Sequence, residues 1–240
     1  MRKLLTVLIV IFISSCSSSN DKKIIESKSE YIEDNARKRI IPIEIYYSNI
    51  TKKEPVIISS GYGCSSTEYS FIAKSLSEKG FLVISIQHEL QTDKYLPSGE
   101  NIYELRLPNW REGIQNIKTV LNFIKTEFPN QNLDKLNLIG HSNGGDISML
   151  YATNNPKKIK SVISLDNRRM PIPKTEKFKI LSIRADQFEA DKGVIPNTSD
   201  LNKYNIKIIT LKNVNHDYLR DNATKKTKGI ILAEINKLYI

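Results

Sequence analysis

The spacing of apolar and polar residues along the chain alternates between short strand-like runs and longer helical stripes. Ile41, Ile43 and Ile45 alternate with other residues, which predicts a half-buried strand. We expect this strand at the edge of a sheet, because Pro42 removes a hydrogen-bond donor from it. Six later runs are mainly apolar and rich in β-branched residues, as parallel strands covered on both faces are. They cover residues 55–60, 81–86, 136–139, 161–165, 178–185 and 206–211.

Helical periodicity separates these runs. A capping box at Ser65 and Glu68 predicts the start of a helix that Gly80 ends. A second, longer apolar stripe stops before Pro129, and further helices are predicted over 146–153 and from about residue 222 onward. The long stripe consists of Trp110, Ile114, Ile117, Leu121, Ile124 and Phe128. Residues 88–108 form the longest predicted connection, and a loop of this length in a compact domain is usually functional.

Strands that alternate with helical stripes indicate an α/β protein with a mainly parallel sheet of about seven or eight strands and helices on both faces. The chain has 240 residues, 40% of them hydrophobic and 26% charged, which is typical of a folded domain and excludes a disordered chain. In such sheets, ligands bind beyond the carboxyl ends of the strands. Reactive residues that directly follow a strand are therefore the candidates for a site.

The net charge of +10 does not by itself indicate a nucleic-acid partner. The lysines are scattered along the chain, and the sequence has no dense basic run with interleaved aromatic residues. We expect a solvated basic surface and no nucleic-acid binding.

The first residues have the pattern of a targeting segment. Arg2 and Lys3 precede an apolar core at 4–13, which is too short to span a bilayer, and small residues then lead to Cys16. This resembles the lipobox of bacterial lipoproteins, which implies cleavage before Cys16 and lipid attachment to that cysteine. The alternatives are an ordinary secretory signal or an uncleaved anchor. The resemblance predicts export and lipid anchoring to a bacterial membrane, on its periplasmic or cell-surface side.

Three segments follow from these patterns. Residues 1–15 are predicted to be a lipoprotein signal peptide, residues 16–35 a flexible polar tether, and residues 36–240 the folded domain. If Cys16 carries lipid, Cys64 has no partner, so we expect no disulfide bond.

The segment Gly140-His141-Ser142-Asn143-Gly144 matches the G-x-S-x-G pattern between a predicted strand and a predicted helix. This context is typical of a nucleophile elbow, in which the serine occupies a strained turn with its hydroxyl exposed. The glycines would let the strand and helix backbones approach closely. The alternative is a glycine-rich turn with an incidental serine.

A serine nucleophile needs a base to take its proton. Among the three histidines, His216 follows the last strand, so we expect it beside Ser142 as the base. His141 lies next to the serine and is expected to support the turn. His88, which ends an upstream strand, is expected to be a structural histidine.

Spacing alone does not determine which acidic residue orients this base. Asp166 and Asp186 each end a strand at the same sheet edge, and Asp191 lies in the loop that follows Asp186. The oxyanion of an acyl-transfer intermediate needs backbone donors. We expect these to be the amides of Asn143, directly after the nucleophile, and of Tyr62, after the strand that ends near residue 60.

Several of these segments together resemble the α/β-hydrolases, in particular the platelet-activating factor acetylhydrolase and dienelactone hydrolase-like group. The resemblance covers about residues 35–220 and rests on the motifs at 60–63, 140–145, 164–166 and 214–216. Ser59 and Ser60 depart from the usual Ser-His of the oxyanion loop. The resemblance implies the α/β-hydrolase fold and favours Asp166 as the triad acid, with Asp186 as the alternative.

These residues predict a serine hydrolase that cleaves carboxylic esters through a Ser-His-Asp triad and an acyl-enzyme intermediate. Its substrate would be a small-molecule or lipid ester, and no metal or cofactor is expected. Two alternatives stay open: a serine peptidase or amidase of the same fold, and a catalytically inactive surface-binding lipoprotein.

Overall fold

Eight strands form the sheet in the computed structural model, which describes residues 24–239. They are β1 (Ile25–Asp34), β2 (Arg39–Ser48), β3 (Lys53–Ser59), β4 (Phe81–Ile86), β5 (Leu136–His141), β6 (Ile159–Leu165), β7 (Lys179–Ala185) and β8 (Ile206–Leu211). Their order is β1-β2-β4-β3-β5-β6-β7-β8. Strands β3 to β8 run parallel, whereas β2 pairs antiparallel with β1 and β4. The predicted mainly parallel sheet is confirmed.

Residues 24–239 contain five α-helices, four of them between strands and the fifth after β8. They are α1 (Ser70–Ser77), α2 (Ile102–Glu127), α3 (Asn143–Asn154), α4 (Thr198–Lys203) and α5 (Lys225–Tyr239). Helices α2 and α3 pack on one face of the sheet, and α1 and α5 pack on the other. Consecutive strand residues such as Leu138 and Ile139 therefore contribute to different cores, which explains why the parallel strands are apolar without alternation.

The tether prediction is wrong for residues 25–34. They form β1, which is hydrogen-bonded to β2 along its whole length, from Ile25 opposite Ser48 to Asp34 opposite Arg39. Most side chains of β1 are exposed, so its sequence carries no hydrophobic alternation, and backbone pairing stabilises it instead. As a result β1 is the edge strand, and β2 with its proline lies one position inward, contrary to prediction.

The predicted connection over 88–108 is too long. Helix α2 begins at Ile102, and Pro108 lies inside its first two turns. At this position the proline lacks the N–H that would bond the carbonyl of Glu104, so one hydrogen bond of the helix is missing there. The loop between β4 and α2 therefore ends about seven residues earlier than the sequence indicates.

The predicted capping box does not start helix α1. The Glu68 carboxylate accepts a hydrogen bond from the Ser65 amide at 2.8 Å, but the helix begins only at Ser70. Its first amides, those of Ser70 and Phe71, donate instead to the carboxylate of Asp221, each at 3.0 Å. A residue about 150 positions away thus caps this helix, which local sequence cannot reveal.

The segment before residue 24 lies outside the described residues. The signal peptide at 1–15, the lipidation site Cys16 and the first part of the predicted tether belong to it. Among the helices of residues 24–239, none is long and apolar enough to cross a membrane.

Candidate active site

The turn between β5 and α3 has the geometry of a nucleophile elbow. Ser142 takes φ 51° and ψ −120°, and α3 begins at the next residue. The backbones pass so closely that a Cβ added to Gly140 would lie 2.3 Å from the carbonyl oxygen of Gly144. A Cβ on Gly144 would lie 2.1 Å from the carbonyl oxygen of Ser59. The glycines are therefore required for the strand, turn and helix to pack, as the sequence predicts.

Three side chains from separate strand ends meet at this turn. His216 Nε2 lies 2.8 Å from Ser142 Oγ, and His216 Nδ1 lies 2.6 Å from Asp166 Oδ2. An ionised Asp166 can only accept, so Nδ1 carries the proton and Nε2 is free to accept the serine proton. The structure brings together the three residues that the sequence proposes, and their part in catalysis stays a prediction.

Asp166 is fully buried at the end of β6. Its amide donates to the carbonyl of Ile183 at 2.8 Å, and its backbone has φ 57°, an unusual conformation for a residue other than glycine. Arg184 Nη2 lies 3.0 Å from Oδ1 and forms an ion pair without the alignment of a hydrogen bond. The Arg184 cation therefore faces the carboxylate oxygen that His216 does not contact.

Arg184 is a site residue that the sequence analysis missed. Its side chain is buried, and burial lowers the pKa of its guanidinium. The signal was a single charged residue inside the apolar strand β7. Buried arginines are almost always paired, so that position was a candidate for contact with a site carboxylate.

Asp186, the alternative acid, lies elsewhere. Its carboxylate is exposed and accepts hydrogen bonds from the amides of Asn213 and Val214, at 2.8 and 3.1 Å. These bonds, that from Asn213 foremost, lower the pKa of Asp186. Asp186 therefore shapes the turn that carries His216, while Asp166 contacts the imidazole itself.

A second hydrogen-bond chain supports the elbow from behind. The Gly61 amide donates to the Tyr69 hydroxyl at 3.0 Å, and that hydroxyl lies 2.8 Å from His141 Nδ1. His141 Nε2 lies 3.0 Å from the carbonyl oxygen of His216. Burial lowers the pKa of His141 to about 3, so this neutral histidine links the segments of Gly61, Ser142 and His216. The expected supporting role of His141 fits these contacts, and Tyr69 is a further partner in the chain.

The two expected oxyanion donors occupy suitable backbone positions. Asn143 is the first residue of α3, where amides have no acceptor within the helix and the helix dipole favours negative charge. Tyr62 follows Gly61 in the turn after β3, and its side chain is exposed. Both positions lie at the carboxyl ends of neighbouring strands, because β3 pairs with β5.

His88 lines a cavity together with Glu89 and Asn109, which hydrogen-bond the Asn143 side chain. His88 is buried, with Nδ1 3.4 Å from Asn116 Nδ2, and burial lowers its pKa to about 3. It is a neutral structural histidine, as expected. The cavity has a volume of about 520 Å³. Its wall includes Glu89, Tyr95, Leu96, Leu105, Pro108 and Asn109.

Arg168 packs on Phe188, whose ring in turn faces the histidine of the site. Its guanidinium carbon is 4.6 Å from the centre of the Phe188 ring, and that ring lies 6.3 Å from the imidazole of His216. Within residues 24–239, no cluster of three or more His, Cys, Asp or Glu side chains is placed to hold a metal ion.

Comparison with known proteins finds similar sequence segments and similar folds. A family model described as serine aminopeptidase, S33, matches residues 51–166. A probable alcohol acetyltransferase of Wickerhamomyces anomalus is 36% identical over 63 residues, which cover 26% of the chain and 18% of that protein. The chain thus spans less than a fifth of the length of this curated relative.

Two solved structures share the fold over most of their length. One is a dienelactone hydrolase-like promiscuous phosphotriesterase from metagenomic libraries, with a TM-score of 0.62, 13% identity, and coverage of 90% of this chain and 98% of that one. The other is a ferulic acid esterase from Streptomyces cinnamoneus, with a TM-score of 0.64, 10% identity, and coverage of 90% and 88%. At such identities the likeness shows the fold alone.

Proposed function

Because the chain belongs to the α/β-hydrolase superfamily, we propose that it is a serine hydrolase that cleaves carboxylic esters. The observation that carries the proposal is the unbroken hydrogen-bond relay from Ser142 Oγ through His216 to Asp166, with distances of 2.8 and 2.6 Å. A relay of this kind activates a serine and stabilises the imidazolium that results.

The reaction would proceed in two halves. Ser142 Oγ attacks the acyl carbon while His216 Nε2 takes the serine proton, and the amides of Tyr62 and Asn143 stabilise the oxyanion. His216 then protonates the leaving alcohol, which departs and leaves the acyl group on Ser142. In the second half, His216 activates a water molecule, and its attack releases the acid and restores the serine.

A carboxylic ester is the substrate class that we propose for this site. A cavity of about 520 Å³ is lined by Glu89 and Asn109, which bond the Asn143 side chain, and combines apolar with charged residues, but Ser142 is not among its lining residues. A ferulic acid esterase is among the proteins of similar fold. We therefore expect a small-molecule or lipid ester.

The proposal is tested by hydrolysis of short p-nitrophenyl esters. Ser142→Ala should remove all activity above background and leave the far-UV circular dichroism unchanged. Ser199→Ala, an exposed serine on α4, should behave like the unchanged protein. Activity retained in Ser142→Ala would reject this nucleophile. A folded but inert unchanged protein would favour the alternative of a non-catalytic binding protein.

Amide hydrolysis is the second candidate, because the matching family model is that of a serine aminopeptidase. The same relay can protonate an amine leaving group. Turnover of matched p-nitrophenyl ester and p-nitroanilide substrates with one acyl group separates the candidates. We expect the ratio of their kcat/KM values to favour the ester, and a ratio that favours the anilide would establish the second candidate.

We further propose that the protein is exported and held at a bacterial membrane by lipid on Cys16. The support is the charged start, the short apolar core and the small residues before this cysteine. Cys16→Ser should move the protein from the membrane fraction to the soluble fraction of the expressing bacteria. Unchanged membrane association would contradict the anchor.

A further inference from the structure

The side chain of Asn143, next to the nucleophile, is clamped by three hydrogen bonds. Its Nδ2 donates to Glu89 Oε1 at 2.8 Å and to Asn109 Oδ1 at 2.9 Å. Its Oδ1 accepts from Trp110 Nε1 at 2.9 Å. All three partners belong to the segment that leads from β4 into α2. Both amide protons and one acceptor position of this buried side chain are thus used.

Glu89 is the member of the clamp that a purely structural role explains least well. Its side chain is buried, and Oε1 also accepts from Asn109 Nδ2 at 3.3 Å. Oε2 is buried and has no hydrogen-bond partner among the described residues. Such a half-satisfied group costs free energy that an apolar side chain would not. Buried polar groups that lack a hydrogen-bond partner are expected chiefly at functional sites.

We propose that Glu89 is a positioning residue for the oxyanion hole: its carboxyl group fixes the Asn143 side chain and, through it, the backbone amide that follows the nucleophile. The inference rests on the proposed function, in which this amide stabilises the oxyanion. The side chain and amide of Asn143 share one Cα, so a side chain held on three sides limits how the amide can rotate. Oxyanion donors act only when they are aimed at the position of the developing charge.

Loss of the clamp should lower the turnover rate and leave binding largely unaffected. Complete removal of one oxyanion donor costs roughly 10²–10³-fold in kcat, so a misaimed donor should cost about 10- to 100-fold. Glu89→Ala is expected to show this loss in kcat with KM within about twofold. Glu89→Gln keeps an oxygen acceptor for Asn143, so at pH 6 it should retain most of the kcat that Glu89→Ala loses. The matched control is Glu104→Gln, an exposed glutamate on α2.

A donor and acceptor swap tests the pairing directly, and it decides the matter if Glu89→Ala does not fold. Asn143→Asp places a second acceptor against Glu89 and should lower kcat. Adding Glu89→Gln to this variant supplies an N–H donor opposite the new carboxylate, so kcat should rise again by about tenfold or more. Thermal unfolding is measured for each variant, to show that the recovered kcat does not result from recovered folding.

The outcomes separate this inference from the proposed function. An unchanged protein that hydrolyses no ester and reacts with no fluorophosphonate rejects both. If that protein is active, then wild-type kcat in Glu89→Ala, a loss confined to KM, or a purely additive double variant overturns the role of Glu89 and leaves the proposed function intact.

Discussion

At the scale of single residues, two aspartates with the same chemistry have opposite surroundings. Asp166 is buried, contacts His216 Nδ1 and has Arg184 at 3.0 Å. Asp186 is exposed and bonded to the amides of a turn. Spacing placed both at strand ends and could not choose between them, because the choice depends on which loop folds back over the sheet edge. Only the family resemblance favoured Asp166.

This difference gives the first prediction. Asp166→Asn should lower kcat by about 10³- to 10⁴-fold, since an amide opposite Nδ1 no longer fixes the tautomer that accepts the serine proton. Asp186→Asn, the matched substitution, should cost less than about tenfold. Ester turnover of both variants checks the prediction, and a larger loss in Asp186→Asn would make Asp186 the triad acid.

Glu89 gives a prediction about stability that does not depend on catalysis. Burial raises its pKa to about 7 from an ordinary value of 4.5. The folded state therefore holds this proton more tightly than the unfolded state does. The protonated carboxyl group of Glu89 thus contributes stability that is present below pH 4.5 and is lost as the pH rises to about 7. Glu89→Gln does not titrate, so its free energy of unfolding relative to the wild type should rise by about 3 kcal/mol across this range.

Urea unfolding of both proteins at pH 4.5 and pH 7.5 measures this change. Glu104→Gln, the same substitution at an exposed position of α2, serves as the control. A difference between Glu89→Gln and the wild type that is constant with pH would show that Glu89 titrates normally in the folded protein.

At the scale of elements, the sequence predicts well those that are stabilised by burial. The long stripe from Trp110 forms α2, and the apolar runs form the central strands. Sequence-based prediction fails for elements whose stabilising partners are distant along the chain. The polar strand β1 is stabilised by pairing with β2. The first amides of helix α1 are capped by Asp221, which lies about 150 residues further along the chain.

The cap on α1 is open to test. Asp221→Ala removes the acceptor for two helix amides and should lower the free energy of unfolding by about 1–2 kcal/mol. Asp221→Asn retains one acceptor oxygen and should cost less. Urea unfolding gives these values, and Asp134→Ala, at an exposed turn residue, is the control. An effect of Asp221→Ala no larger than that of the control would show that the cap contributes nothing.

At the scale of the whole molecule, the parallel sheet converts distant sequence positions into one site. Residues 62, 142, 166 and 216 each follow a strand, and the carboxyl ends of these strands meet at one edge. The position of each candidate after a predicted strand, together with the motif spacing, was therefore enough to propose the nucleophile, the base and a short list of acids. The supporting contacts of Tyr69 and Glu89 were not predictable, because they depend on side-chain packing between elements and leave no periodic signal. Arg184 left one signal, as a charged residue inside an apolar strand.

The central claim is that Ser142 is a nucleophile activated by His216. Mass-spectrometric mapping of the adduct formed with a fluorophosphonate tests it most directly. We predict one adduct, on Ser142, that forms at least about a thousandfold more slowly in His216→Ala. An adduct on another residue, no adduct on the folded protein, or an unchanged rate in His216→Ala would contradict the account.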